Sequence, residues 1–150
     1  MVYTYILGRT RFFRRKDRVF LWYTNIYSLY RFGLTKDDKM ERIAFIDLGS
    51  NSVRFVIYEI SDTGSYRLIY QEKNSIRLSE NMWGNHKLTE PAMNRALVSL
   101  QSYVHMAKAL EVNSIKAVAT AAVRLAKNGD EFIETVKRET GLDLECISGE

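Results

Sequence analysis

The sequence predicts an α/β fold, a mixed five-stranded sheet in β-β-β-α-β-α-β order with covering helices. Residues 43–77 hold three apolar, β-prone stretches separated by turn-forming residues. After Thr89, apolar residues recur at three- and four-residue steps, as on one face of a helix. The rest of the chain alternates between strand-like and helix-like segments, and helical crossovers make the later strands parallel.

The first three strands are predicted from short apolar runs and the turns between them. Residues 43–46 form the first strand, which ends at Asp47 and is followed by a polar turn. Residues 53–60 form the second strand, and a turn cluster at 61–65 leads to a third strand over 66–77. The chain therefore begins with a β-meander.

The helices are predicted from caps and apolar spacing. Thr89 is placed to cap a long helix with Glu90 and Pro91 in its first turn. We expect Met93, Leu97, Leu100 and Val104 to be buried against the sheet. The predicted apolar face is Met93, Ala96, Leu97, Leu100, Val104, Ala107 and Leu110.

The last elements follow in the order that a crossover fold requires. Residues 115–120 are predicted as a strand, 121–127 as a short helical piece and 130–140 as a helix that ends at Gly141. Residues 144–147 are the fifth strand.

Composition limits the class of protein. The chain has 150 residues, with 22 Lys or Arg against 18 Asp or Glu, which suits roughly one domain of about 100 to 200 residues. Its single cysteine, Cys146, excludes an intramolecular disulfide and a multi-cysteine metal cage, so we expect a cytoplasmic protein. On its predicted strand, Cys146 is expected to be a buried thiol. His86 and His105 are isolated, which favours surface or structural roles.

Residues 1–39 differ from the rest of the chain. They hold nine Lys or Arg against three Asp, and ten of the 18 aromatic residues. A nucleic-acid-binding arm and a membrane-surface arm are both compatible with this mixture. We favour a third interpretation, in which residues 1–39 are a basic aromatic leader outside the fold. The fold itself then begins at Met40 and occupies residues 40–150. No run of about 18 apolar residues is present, so we expect no membrane span.

A polar loop between the first two strands is the first candidate site. Its glycine lets backbone N–H groups approach an anion, and its side chains add donors. Asp47 can hold a divalent cation, and Arg54 is either a phosphate clamp or a solvated strand residue. A plain hairpin turn has the same composition. The candidate phosphate ligands of the loop are Gly49, Ser50, Asn51 and Ser52.

The second candidate site follows the fourth strand. Residues 120–128 read TAAVRLAKN. Open α/β sheets bind ligands outside the carboxyl ends of their parallel strands, which is where Thr120 and Arg124 are predicted to lie. A solvated arginine is the alternative for Arg124.

Three ordered motifs resemble one family. DLGSNSVR at residues 47–54 resembles the first phosphate motif of the exopolyphosphatase and guanosine pentaphosphate phosphohydrolase family, within the actin-like ATPase superfamily. Residues 120–128 resemble a second family motif, and ISGE at 147–150 resembles the opening of a third. The resemblance implies an actin-like, ribonuclease H-like half-domain over residues 40–150, truncated at its C-terminal end.

The resemblance also implies a chemistry. Family members remove a terminal phosphate by water from inorganic polyphosphate or guanosine pentaphosphate. By resemblance Asp47 serves Mg²⁺ or another divalent cation, residues 49–52 form the phosphate-binding loop, and Arg124 pairs with phosphate oxygens. A homodimer is implied for the full-length protein. The two phosphorylated substrates are the expected partners, and nucleic acid is not.

The catalytic base is not assigned to Glu150. In the family, the catalytic glutamate lies two residues further along the chain, so we expect the 150-residue chain alone to hydrolyse no polyphosphate at an appreciable rate. Two alternative functions are compatible with parts of the sequence. A sugar or acetate kinase of the same superfamily has a similar first loop but does not explain residues 120–128, and a nucleic-acid-binding module depends only on residues 1–39.

Overall fold

The computed structural model describes residues 40–61, 64–82 and 84–147. The prediction that residues 1–39 are a leader outside the fold concerns residues outside this described part, as does any role of Glu150. Among the described residues, no helix combines the length and the hydropathy that a membrane span requires.

Five strands form one mixed sheet in the spatial order β3-β2-β1-β4-β5. The β1–β2 and β2–β3 pairs are antiparallel, and the β1–β4 and β4–β5 pairs are parallel. The carboxyl ends of the three parallel strands therefore lie at one edge of the sheet. The strands are β1 Glu41–Leu48, β2 Ser52–Ile60, β3 Tyr66–Ser75, β4 Ser114–Ala119 and β5 Leu144–Cys146.

Three helices connect the later strands, as the apolar spacing predicts. Thr89 occupies the N-cap position of the first helix, but its hydroxyl makes no capping hydrogen bond. Gly141 ends the last helix with a left-handed φ of 75°, a conformation that glycine adopts without strain. The helices are α1 Glu90–Ala109, α2 Ala121–Leu125 and α3 Gly129–Thr140.

The helices cover one face of the sheet. Ala44, Ile46 and Leu48 of β1 share this face with alternate residues of β2 and β4, and all three are buried. Tyr103 of α1 is fully buried, and its ring stacks on Phe55 at a centroid distance of 4.7 Å. This tyrosine was absent from the predicted apolar face. It is the largest fully buried side chain among the described residues.

Two expectations about burial need correction. Leu100 and Val104 are buried as expected, but Met93 and Leu97 are only partly buried. They lie at the groove between α1 and α3, where solvent reaches them. Cys146 is exposed rather than buried, because β5 is a three-residue edge strand and only Leu144 reaches the core.

Candidate active site

The first candidate loop connects β1 and β2 at the carboxyl edge of the sheet. The N–H of Gly49 donates to the Ser52 carbonyl at 3.0 Å, which closes the turn. A Cβ atom at Gly49 would lie 3.0 Å from the same oxygen, a tight contact, so the turn favours glycine for close approach rather than for an unusual φ. Within the described part of the chain, the N–H groups of Ser50 and Asn51 have no acceptor. Both are free to bind an anion.

The back of this loop is held by the connection between β3 and α1. The N–H groups of Ile76 and Arg77 both donate to the Asn51 carbonyl, at 3.0 and 2.9 Å. Ser79 donates in the same way to the Ser50 carbonyl at 3.0 Å. The carbonyls of Ser50 and Asn51 are thus occupied, whereas the N–H groups of the same two residues have no acceptor among the described residues. This contact also ends β3 at Ser75, two residues before the predicted end.

Arg95 of α1 anchors that connection. Its Nε donates to the Ile76 carbonyl at 2.9 Å, and its Nη2 donates to a Glu80 carboxylate oxygen at 2.7 Å. The same Nη2 lies 3.4 Å from the Arg77 carbonyl. Arg77 has a φ of +47°, a conformation that side chains other than glycine adopt rarely. A helix side chain therefore stabilises an unfavourable backbone conformation that supports the candidate loop.

Asp47 lies at the end of β1, as predicted, one residue before the last residue of the strand. Its Oδ1 atom is buried and has no hydrogen-bond partner among the described residues. Burial raises the pKa of the Asp47 carboxyl above 3.8, and the charge of Arg54 opposes this rise. Arg54 is directly opposite Asp47 on β2 and is exposed. The pair shares the sheet face opposite to the helices.

The second motif meets the first through Thr120. Its N–H and its hydroxyl both donate to the Leu48 carbonyl, at 3.1 and 3.3 Å. Arg124 follows one turn later in α2, is exposed, and donates through Nη1 to the Ile147 carbonyl at 2.5 Å. Ile147 in turn donates its N–H to the Ala119 carbonyl. The ends of β1, β4 and β5 are thus joined directly at one edge.

The end of the second motif holds two loops together through side-chain to backbone hydrogen bonds, a role that the sequence did not predict. The side-chain amide of Asn128 accepts from the N–H of Leu88 at 2.8 Å and donates to the Leu88 carbonyl at 3.0 Å. Gly129 follows, and a Cβ there would lie only 2.2 Å from the Val123 carbonyl oxygen. Asn128 and Gly129 therefore fix the turn between α2 and α3 against the loop that precedes α1.

Comparison with known proteins decides the family. The sequence profile of the Ppx/GppA phosphatase family matches residues 56–150. The chain belongs to this family. A curated relative from Pseudoalteromonas atlantica, named guanosine-5'-triphosphate,3'-diphosphate pyrophosphatase, is 36% identical over 119 residues, which cover 78% of this chain and 23% of the relative. The match favours the phosphatase family over the sugar and acetate kinases considered above.

Solved structures of Ppx/GppA proteins have the same fold. The crystal structure of the Aquifex aeolicus family member gives a TM-score of 0.72 at 38% identity, covering 75% of this chain and 36% of that one. An exopolyphosphatase from Cytophaga hutchinsonii gives 0.69 at 30% identity, covering 73% and 35%. The predicted α/β fold with its mixed five-stranded sheet is confirmed, and it is the fold of the solved Ppx/GppA structures. The chain spans about a quarter of the curated relative and about a third of the solved structures.

The remaining sequence candidates lie away from this edge or at its rim. His105 is exposed on α1, and His86 is exposed in the turn before α1, as expected of surface residues. Within the described ranges no group of three or more His, Cys, Asp or Glu side chains is placed to hold a metal ion. The roles predicted for the loop residues, Thr120 and Arg124 stay predictions.

Proposed function

We propose that this chain forms the phosphate-binding part of a phosphoanhydride hydrolase that releases terminal phosphate from inorganic polyphosphate or guanosine pentaphosphate. The proposal is supported by membership of the Ppx/GppA phosphatase family. It also agrees with the names of two relatives, a guanosine-5'-triphosphate,3'-diphosphate pyrophosphatase and an exopolyphosphatase. The observation that carries it is the junction of the three motifs, made by the Thr120–Leu48 and Arg124–Ile147 hydrogen bonds.

The edge offers donors where a phosphate needs them. The unpaired N–H groups of Ser50 and Asn51 suit phosphate oxygens, and the loop hydroxyls add further donors. Arg54 and Arg124 bring two exposed guanidinium groups, whose planar forks match two phosphate oxygens at once. Phosphoryl transfer depends on positioning and charge neutralisation, and these groups are proposed to position the phosphate and neutralise its charge.

The residues also fit a divalent cation, with Mg²⁺ as the proposed ion. Mg²⁺ binds in proteins through one or two carboxylates together with water and substrate phosphates. Asp47 Oδ1 is a buried carboxylate oxygen with no protein partner among the described residues, which suits the single protein ligand of such a site. When bound, the cation neutralises charge on the phosphoryl oxygens.

The general base is proposed to lie outside the described residues, in the part of the third motif that follows its opening at residues 147–150. We expect the 150-residue chain to bind phosphorylated ligands but to release phosphate slowly. A full-length protein of this kind is proposed to act as a cytoplasmic homodimer.

The test compares phosphate release from polyphosphate and from guanosine pentaphosphate, in the presence of Mg²⁺, by the 150-residue chain and by a form extended through a whole Ppx/GppA domain. In the extended form, Arg124→Gln should lower turnover about tenfold or more, since a charged hydrogen bond contributes about 1.5 to 3 kcal/mol. Arg138→Gln is the control, because Arg138 is exposed on α3 and pairs with Glu139. Equal rates for the Arg124 variant and the unmodified protein would remove Arg124 from the site.

A further inference from the structure

A corner of the sheet face opposite to the helices carries donors in two rows. Ser52 of β2 lies directly opposite Ser75 of β3, and Arg54 lies directly opposite Lys73. Because directly opposite residues of an antiparallel pair point to the same face, the two hydroxyls and the two cations share one surface. Ser52 is also the last residue of the candidate phosphate loop. The corner therefore continues that loop along the strands.

The charges in this corner are not compensated. Arg54, Lys73 and Ser75 are exposed. None of the four side chains has a hydrogen bond or an ion pair within the described ranges. Like charges directly opposite each other destabilise an antiparallel pair. On this face Asp47 of β1 lies directly opposite Arg54, whereas Lys73, on the edge strand β3, is registered only against Arg54, so this row holds one negative charge and two positive ones.

The other end of the same strand pair is built differently. There Glu59 of β2 forms ion pairs with Arg42 of β1 and Arg67 of β3. The same strands can thus neutralise their cations, and they do so away from the loop. The unpaired cations occur beside the loop.

We propose that Ser52, Arg54, Lys73 and Ser75 form a second anion subsite, which holds a further phosphate group of a linked-phosphate chain whose end lies in the loop. This inference rests on the proposed function. Residues two apart along a strand are about 7 Å apart, so the Arg54–Lys73 row lies one step beyond the loop. A single orthophosphate in the loop does not extend to this row, whereas a chain of linked phosphates does. Both inorganic polyphosphate and the triphosphate arm of guanosine pentaphosphate have this chemistry.

The experiment measures binding by isothermal titration calorimetry to the 150-residue chain at one fixed salt concentration. The probes are tripolyphosphate, guanosine pentaphosphate and orthophosphate. Lys73→Gln removes the charge of this edge-strand residue at a similar side-chain length. Lys73→Arg keeps the charge and should therefore bind like the unmodified chain. Lys116→Gln is the matched control, since Lys116 is an exposed lysine on the same sheet face but lies opposite Phe45, farther from the loop.

We expect Lys73→Gln to weaken tripolyphosphate binding about tenfold, a loss typical of one charged hydrogen bond, and to leave orthophosphate binding unchanged. A loss confined to tripolyphosphate or to guanosine pentaphosphate would support the subsite and identify the source of the phosphate chain. Equal losses for Lys73→Gln and Lys116→Gln would overturn it, as would no loss for either chain-like probe. If the unmodified chain binds none of the probes, the proposed function fails together with the subsite.

A second readout separates binding from folding. In the absence of ligand, Lys73→Gln should raise the melting temperature by about 1 to 4 °C, because it relieves a like-charge pair that costs some tenths of a kcal/mol. If Lys73 had only a structural role, its substitution would lower the melting temperature. A drop in melting temperature that accompanies weaker binding would therefore count against the subsite.

Discussion

The two ends of the β1–β2–β3 meander treat charge in opposite ways. At the end remote from the candidate loop, Glu59 is only 7% exposed and receives hydrogen bonds from Arg42 and Arg67. The hydrogen bond from Arg67 lowers the pKa of the Glu59 carboxyl below 4.5, and the hydrogen bond from Arg42 adds a smaller effect in the same direction. Arg42 also donates to the Leu110 carbonyl just past α1. Glu59, Arg42 and Arg67 are thus joined in one network at this end.

At the loop end, polar groups are left without partners. Asp47 Oδ1 is buried and unpaired among the described residues, and Arg54 and Lys73 face each other as like charges. Unpaired buried polar groups and opposed like charges both cost stability. Stability and binding are thus separated along these strands, because the destabilising groups are concentrated where a phosphate and a cation are proposed to bind.

The largest change in unfolding free energy is expected at Gly129, in the turn between α2 and α3. In Gly129→Ala, the new Cβ would lie 2.2 Å from the Val123 carbonyl oxygen, and backbone must move to relieve the clash. We expect a loss of about 3 kcal/mol or more in unfolding free energy, measured by urea denaturation. Gly84→Ala is the control, because nothing lies within 4 Å of its Cβ position. A loss for Gly129→Ala no greater than that for Gly84→Ala would show that this turn is not rigid.

The next effect tests the paired end. Glu59→Gln leaves two arginines without their carboxylate, so the melting temperature at pH 7 should fall by several degrees. Because the pKa of Glu59 is lowered on folding, its stabilisation is complete above 4.5 and is lost as the pH falls through the folded-state pKa. The difference between variant and parent should therefore shrink in acid. A difference that is the same at pH 7 and at pH 3 would contradict the ion-pair explanation.

A smaller effect is expected from the anchor behind the loop. Arg95→Gln removes the contacts with the Ile76 carbonyl and Glu80, which lets the 76–79 connection relax away from the loop. We expect tripolyphosphate affinity to fall about threefold while the melting temperature changes little, since the Arg95 and Glu80 side chains are 39% and 41% exposed and ion pairs that water reaches contribute little. Glu80→Gln keeps the backbone contact and is the matched control. Equal affinities for Arg95→Gln and the parent would show that the loop is positioned without Arg95.

The smallest effect is a gain at the unpaired end. Asp47→Asn should raise the unfolding free energy by about 1 kcal/mol at pH 7 without ligand, because it removes a desolvated charge. The pKa of Asp47 is raised on folding, so the cost of the charge is present above the folded-state pKa and disappears as the pH falls toward 3.8. The gain should thus vanish in acid. A loss at pH 7 would show that the carboxylate is stabilised in the folded protein.

Local patterns predicted the elements of the fold well. The spacing of Leu100 and Val104 identified the buried face of α1, and Gly141 marked the end of α3 because only a left-handed residue fits there. Tyr103 escaped prediction, since a phenol is usually placed at a surface and its burial depends on Phe55 from a distant strand. The partial burial of Met93 and Leu97 depends in the same way on the position of α3.

The candidate site was predictable in part, for a related reason. The loop at 49–52 and the Thr120–Arg124 motif have local signatures, and parallel strand ends bring them to one edge. The register that sets Lys73 opposite Arg54 is a property of strand pairing, which a one-dimensional sequence does not display. The need for glycine at position 129 likewise comes from a carbonyl six residues earlier, in a turn whose shape only the structure gives.

The Thr120–Leu48 bond has a consequence for the order in which the chain folds. It joins residues 72 positions apart, whereas the β1–β2–β3 meander needs only neighbouring segments. Loop closure over long separations is the slow part of folding, so the meander should form first and the β1–β4 pairing later. The motifs are then assembled only at that late step. The chain should therefore bind a phosphate chain only once folding is complete. Earlier, the meander should already be protected from hydrogen exchange while no binding is detected.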